Sequence, residues 1–324
     1  MNMHLLSFLM LLAIAAPLAA QPSDLAPGIA HYNARRWAEA HAFFANVTRA
    51  QPQNAEAVVW YGKVLLAQDK AGDAEDWFEK ATKLAPRSSE AHLWLGRAIG
   101  VQAQRANVVR QPFMARRIKA AVDRAIELDP DNIDAREMRW QFYVMAPGVM
   151  GGGADKARGE AAEILRRNPY RGQLIAVNAA GRAKDTVAVE RTLKALVSEY
   201  PDSLTPLGSY ASWLADRGRP AEAFALVDAF QRRRPADPAA LYQIGRTAAI
   251  TGQQLDRGEQ ALRRYLATTP SPAPNMPSLS NAHFRLGSIA ERRGDKAAAR
   301  AEYEQALKLD ARNSLARRAL AALK

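Results

Sequence analysis

The chain repeats itself every 34 residues, and this period limits its possible folds more than any other feature. Gly28, Gly62 and Gly96 are spaced by 34, as are Trp60 and Trp94, Phe44 and Phe78, Pro52 and Pro86, and Ala40 and Ala74. Leu65 matches Ile99 in the same register. Agreement at several independent columns marks a recurring structural unit. One such unit cannot bury its apolar face alone, so successive units must stack to make a core.

Within the period the order of residues is itself informative. The second unit reads Tyr61-Gly62, Leu65, Ala74, Phe78, Ala81, Pro86. The last reads Leu286-Gly287, Ala290, Ala299, Tyr303, Ala306, with Ala311 where proline is expected. Between them, Ala211, Leu214, Ala223, Val227, Phe230, Pro235 keep the same order, and so do Ile244-Gly245, Ala248, Leu262, Tyr265, Pro270. The first unit runs from Gly28 to Pro52, and Pro169 and Pro201 close two more divergent ones. This pattern resembles the tetratricopeptide repeat. The resemblance covers residues 25–312 and implies an all-α chain, an α-solenoid of about eight tetratricopeptide-type helix–turn–helix repeats. In such a unit Gly62 and Gly96 sit where two helices approach closely, and Ala74 and Ala81 do the same on the second helix. Phe44 and Phe78 fill the space between units. Pro52 and Pro86 stop the second helix, because proline lacks an amide donor and clashes with the preceding turn.

The ends and the interruptions of the period set the domain plan. Residues 1–20 are expected to be a signal peptide. Leu5 to Ile14 is an apolar run, Pro17 breaks it, and small residues lead to a cleavage site after Ala20. The run is shorter than the ~20 apolar residues that span a bilayer. Residues 21–312 are the repeat superhelix, and residues 313–324 a capping helix with Asn313 or Ser314 as N-cap, Leu315, Leu320 and Leu323 inward, and Arg317 and Arg318 outward. Three insertions interrupt the period. Gly96 to Pro130 is 34 residues where Gly62 to Pro86 is 24, so ten extra residues lie near 100–115. A loop near 146–154 holds Gly148 and Gly151 to Gly153, and a proline-rich stretch at 268–280 holds Pro270, Pro272, Pro274 and Pro277. The glycine run has the composition of an anion-binding nest, but the phosphate-loop pattern fails, since Lys156 follows Asp155 and precedes Ala157. It reads as a connection between two helices of one unit.

Reaction chemistry is absent from the sequence. There is no cysteine, which excludes disulfides, thiolate metal sites and a cysteine nucleophile. His4, His31, His41, His92 and His283 are never four residues apart, so no helical metal pair forms; His41 is expected to face solvent. The reading is a non-enzyme with no cofactor, no metal and no small-molecule substrate.

What remains is a surface. In the family this chain resembles, the first helix of each unit lines a concave groove that holds a partner peptide or helix. The positions around each Leu-Gly-type pair that face it are here Val59, Trp60 and Lys63; Leu93, Trp94 and Arg97; Tyr242 and Arg246; and Phe284 and Arg285. Trp60 with Lys63 and Trp94 with Arg97 are three residues apart, so each ring shares a helix face with a cation. A rank of aromatics with cations suits an extended ligand that carries carboxylates or phosphates. The Asn- and Lys-rich set of the family's carboxylate-clamp variant is missing. Lys and Arg total 45 against 33 Asp and Glu, a net charge of +12, with pairs and a triplet such as Arg35-Arg36 and Arg232 to Arg234. Cations near helix C-termini offset the helix dipole, and the excess also favours acidic partners. No nucleic-acid motif appears. The expectation is therefore a protein–protein interaction scaffold or adaptor in the bacterial periplasm or cell envelope, or secreted. Its partner would be an envelope protein or peptide, an acidic one being favoured by the charge. The alternative is a peripheral protein that contacts anionic lipid or glycan through its net charge.

Overall fold

The computed structural model describes residues 24–269 and 276–323. The expected signal peptide and residues 270–275 of the proline-rich insertion lie outside the described residues. Among the described residues there are seventeen α-helices and no strand. Eight pairs follow one another: α1 (Ala26–Asn33) with α2 (Trp37–Ala50), α3 (Ala55–Ala67) with α4 (Ala71–Leu84), α5 (Ser89–Ala103) with α6 (Gln111–Leu128), and α7 (Ile133–Met145) with α8 (Ala154–Arg167). Then come α9 (Pro169–Arg182) with α10 (Thr186–Glu199), α11 (Leu204–Ala215) with α12 (Pro220–Arg233), α13 (Pro238–Thr251) with α14 (Leu255–Thr268), and α15 (Leu279–Arg292) with α16 (Lys296–Leu309). The unpaired α17 (Ser314–Ala322) ends the stack. The all-α solenoid of eight helix pairs that the resemblance implies is what the chain forms. Each helix packs on the next, and odd helices also touch odd neighbours, α3 with α5, α11 with α13 and α13 with α15. At these places the odd helices form the more closely packed layer.

Capping sets the register. Asn54, Ser88, Asn132, Asn168, Asp237, Ser278 and Asn313 each begin an odd-numbered helix and accept a hydrogen bond from a backbone N–H in its first turn. Each such cap contributes about 0.5–2 kcal/mol. The closing prolines stand in the turns just before these caps, as in Pro52-Gln53-Asn54 and Pro86-Arg87-Ser88. Pro169 departs from that role. It is the first residue of α9, with Asn168 serving as C-cap of α8 and N-cap of α9 at once. Proline is favoured there because its ring fixes a helical φ and its missing N–H would have had no partner.

The glycine columns work by contact. A Cβ on Gly62 would lie 2.6 Å from the Phe78 ring, and one on Gly287 2.5 Å from Tyr303. Phe78 is fully buried and stacks on Trp94 of the next pair at 6.0 Å, so the ring that needs the glycine also joins two units. Phe44 and Trp60 repeat the arrangement at 6.0 Å. The end of the stack differs from the sequence expectation at one position. Ala316 and Leu323 face inward, but Leu315 is exposed, because the N-cap at Asn313 turns Ala316 toward α16 instead.

The ten extra residues near 100–115 are distributed over three places. Compared with the second pair, α5 is two residues longer, α6 four longer and the turn between them four longer. The glycine-rich connection is a defined turn with a 3-10 segment at Gly148–Met150. The N–H groups of Met150, Gly151, Gly152 and Gly153 all donate to carbonyls of the chain itself, so none is left to hold an anion. Gly152 is required because a Cβ there would lie 1.8 Å from the Ala146 carbonyl oxygen. Gly151 and Gly153 have φ of +94° and +144°, a backbone that side chains disfavour.

Candidate functional site

The expected groove residues fall into two groups with opposite electrostatics. At the N-terminal end, Val59 and Leu93 are buried in the core. Lys63 is buried too, with its Nζ 3.8 Å from the Trp60 ring, 5.0 Å from the Trp94 ring and 2.5 Å from Glu90 Oε1. Arg97 lies 4.5 Å over Trp94 and 3.2 Å from Asp134 Oδ2. Each ring does meet the cation three residues on, and Lys63 further bridges two units. Every cation in this ladder has an internal acid. Burial opposes ionisation of Asp134, but Arg97 and Arg171 outweigh it and hold the carboxyl below its usual range. The ladder is therefore satisfied within the chain, and it cements α3, α5 and α7.

At the C-terminal end the cations have no such partners. Tyr242 and Phe284 are buried against Tyr265 and Tyr303, at 5.7 and 5.8 Å between ring centroids. Arg246, one turn after Tyr242 on α13, and Arg285, next to Phe284 on α15, both line a cavity of about 360 Å³. Neither makes an ion pair among the described residues. Arg285 lies 4.9 Å over Phe284, and its Nε is buried without a hydrogen-bond partner. Burial, then the charge of Arg285, draws Arg246 below the usual guanidinium range, against a weaker pull from Tyr242 and Asp216. Two half-buried cations facing each other without a counter-ion are costly, and an anion between them relieves both desolvation and repulsion. The arrangement can hold a carboxylate through charge-assisted, forked hydrogen bonds.

Sequence reasoning missed the residues that shape this cavity. Asn281 and Thr205 add polar groups, Met276, Pro277 and Leu204 add apolar wall, and the exposed Leu315 closes one side. Asn281 is four residues before Arg285 on α15, a spacing that alone puts both on one face. Gly208 on α11 makes room for the guanidinium: a Cβ there would lie 2.2 Å from Arg246 Nη1 and 3.3 Å from Gln243 Oε1. No motif distinguishes this glycine in the sequence.

The other candidates resolve into structure. His41 does not face solvent freely; it is half-buried with its Nε2 3.1 Å from the Tyr61 hydroxyl. His283 pairs with Glu302 at 2.7 Å, and His92 with the Pro86 carbonyl at 3.2 Å. Among the described residues, no three His, Asp or Glu side chains gather as a metal site, and no helix is long and apolar enough to cross a membrane.

A tetratricopeptide-repeat family model matches residues 25–89, and a second matches residues 280–313. The two matches cover the two ends of the stack, where the glycine and aromatic columns are most regular. Among solved structures, the chain is similar to a thermophilic tetratricopeptide protein from Thermus thermophilus. That likeness has 18% identity and a TM-score of 0.51, over 59% of this chain and 96% of the other. It is also similar to a tetratricopeptide protein from Parabacteroides merdae, with 14% identity and a TM-score of 0.49, over 84% of this chain and 99% of the other. At these identities the likeness is one of fold. No curated protein sequence matches the chain.

Proposed function

We propose that this chain, whose two ends match tetratricopeptide-repeat models, holds an acidic, extended segment of a partner protein in a groove, at Arg246 and Arg285. The fold is a scaffold for protein–protein contact, and proteins of the family are generally non-catalytic. The observation that carries the finer reading is the pair of half-buried arginines without acids, where every other arginine that makes no ion pair among the described residues is exposed. The N-terminal ladder argues for the same end of the groove by contrast, since Lys63 and Arg97 are already neutralised by Glu90 and Asp134. Tyr242 and Phe284 serve as the packed floor, and Asn281 as a hydrogen-bonding group beside the carboxylate.

The apolar run from Leu5 to Ile14 supports an envelope or exported setting. In a bacterial host, sequencing the N-terminus of the mature protein tests this, with Gln21 as the expected first residue.

Binding is tested with an immobilised peptide of alternating acidic and small residues. Hydrogen bonds to charged groups are worth about 1.5–3 kcal/mol each, so R246Q should weaken capture roughly thirtyfold at 1.4 kcal/mol per decade. R97Q, whose charge is already paired, should change it little. Equal binding by wild type and an R246Q/R285Q double variant would refute the assignment.

A further inference from the structure

Two of the three insertions that break the period, those near 100–115 and 146–154, border one recess of the solenoid and carry exposed apolar side chains. Nine large apolar side chains are exposed among the described residues, and five of them, Val108, Val109, Phe113, Met145 and Val149, belong to these two insertions or flank them. Single exposed apolar residues need no explanation, but a concentration of this kind does. Between the two tips lies a recess of about 630 Å³, walled by the ends of α5, α6 and α7 and by the glycine-rich turn, with Ile118, Met138, Phe142 and Met150 among its apolar lining. The turn packs on α6, since the Cβ position of Gly151 is 3.7 Å from Lys119 Cδ.

Charge identifies what this edge meets. From Gln104 to Val122 the chain carries Arg105, Arg110, Arg116, Arg117 and Lys119 and no acid. Three of the five are paired: Arg105 with Asp69, Arg117 with Glu75 and Glu79, and Lys119 with Asp123. The remaining acids of the edge are also matched, Asp134 and Glu137 by Arg97 and Arg171, and Asp155 by Arg158. Arg110 and Arg116 are exposed and make no ion pair among the described residues. The surplus is thus positive and stands beside the apolar tips. Apolar side chains on projecting turns with unpaired cations next to them match a bilayer interface, where the former enter the headgroup–acyl boundary and the latter meet phosphates.

We propose that this edge binds the surface of an anionic lipid bilayer, with Val108, Val109, Phe113 and Val149 entering the interface and Arg110 and Arg116 on the lipid phosphates. The site stands on α5 to α8 and is separate from the α13–α15 cavity, so it does not rest on the peptide-binding reading.

The full chain should co-sediment with vesicles of phosphatidylcholine and phosphatidylglycerol, and much less with phosphatidylcholine alone. R110Q and R116Q should each weaken partitioning about fivefold, and V108S/V109S/F113S about tenfold or more. All these residues are exposed, so helicity measured by circular dichroism should stay at the wild-type value. The N-terminal apolar run has its own affinity for lipid, and a local probe separates the two contributions. Because the chain has no cysteine, V149C carries an environment-sensitive dye at one place only. Its emission should shift to the blue with anionic vesicles and not with neutral ones. Binding without that shift, or variants that partition like wild type, would overturn the proposal. Absence of vesicle binding would also overturn it and leave the patch as a protein interface.

Discussion

Glu160 offers the sharpest test of how the irregular middle of the solenoid is held. It lies on α8 with a side chain 5% exposed, and its Oε1 accepts from Arg136 Nη1 at 2.9 Å and its Oε2 from Arg139 Nε at 2.8 Å. Arg136 on α7 is 7% exposed and makes no second ion pair among the described residues, though Glu163 acts on it at longer range, whereas Arg139 is 21% exposed and keeps Asp123 at 3.4 Å. Removing the carboxylate strands one buried cation rather than two. Breaking a buried pair from one side costs about 3–5 kcal/mol; with one stranded cation, E160Q should lie near the lower figure. Replacing both partners by apolar residues of similar volume removes the buried charge altogether, so E160M/R136M should recover most of the loss. Solenoids need not unfold in one step, so the readout should be local. Native-state hydrogen exchange of the α7 and α8 amides should quicken by about a hundredfold in E160Q, following ~1.4 kcal/mol per decade. A cost below about 1 kcal/mol, or a double variant as unstable as the single, would show that water or Glu163 already neutralises Arg136, and the reasoning would fail.

Two further predictions concern the repeat itself. G62A should destabilise by about 1–3 kcal/mol, because the buried Phe78 ring 2.6 Å from the new Cβ has nowhere to move, whereas G72A, which meets nothing within 4 Å on α4, should be neutral or gain up to about 1 kcal/mol; urea melts of the two variants compare them directly. The hydroxyls of Tyr265 and Tyr303, which donate to the Pro277 carbonyl and to Glu291, are pushed up to about 12, chiefly by burial. Their contribution is therefore complete below the unfolded value near 10 and lost as pH rises to about 12, and a Y265F/Y303F variant should show a flatter fall in stability across that alkaline window.

The fold was legible because its determinants are steric and periodic. A column of Gly28, Gly62 and Gly96 has few explanations other than helices in close approach, and Phe44 and Phe78 at the same period state what fills the gap. The caps were equally periodic, Asn54 and Ser88 being 34 apart, but cap residues are chemically interchangeable, so identity matching overlooks them. The groove was legible only in part. Spacing put Lys63 and Arg97 beside tryptophans, and the contacts agree. Spacing could not reveal that Glu90 and Asp134 neutralise them, because those acids come from the following units. The same blindness hid the difference at Arg246 and Arg285, which is defined by acids that are not there. Leu315 misled for a related reason: helical periodicity fixes which residues share a face, while the cap at Asn313 decides which face is turned inward.

One contact joins the last turn of the stack to its second helix pair and bears on how a partner enters. Arg312, in the turn before α17, donates from Nη1 to the carbonyl of Ala67 at the end of α3, 2.7 Å away and 245 residues apart in sequence. Eight helix pairs therefore curl far enough for the last turn to reach the second pair. The carbonyl belongs to the last turn of α3, where helix carbonyls lack partners of their own and the dipole favours a cation. Arg312 is exposed, so the bond is worth about 1 kcal/mol, enough to favour the closed form about fivefold and weak enough to open thermally. An extended partner must then lie along the trough or wait for the ends to part. R312A should lower the energy transfer between dyes placed at K70C and K308C, both exposed lysines near the junction. It should also speed association of an acidic peptide while leaving the contacts at Arg246 and Arg285, and hence the dissociation rate, unchanged. Unaltered energy transfer in R312A would mean that packing along the stack alone sets the curvature, and the gating argument would fall with it.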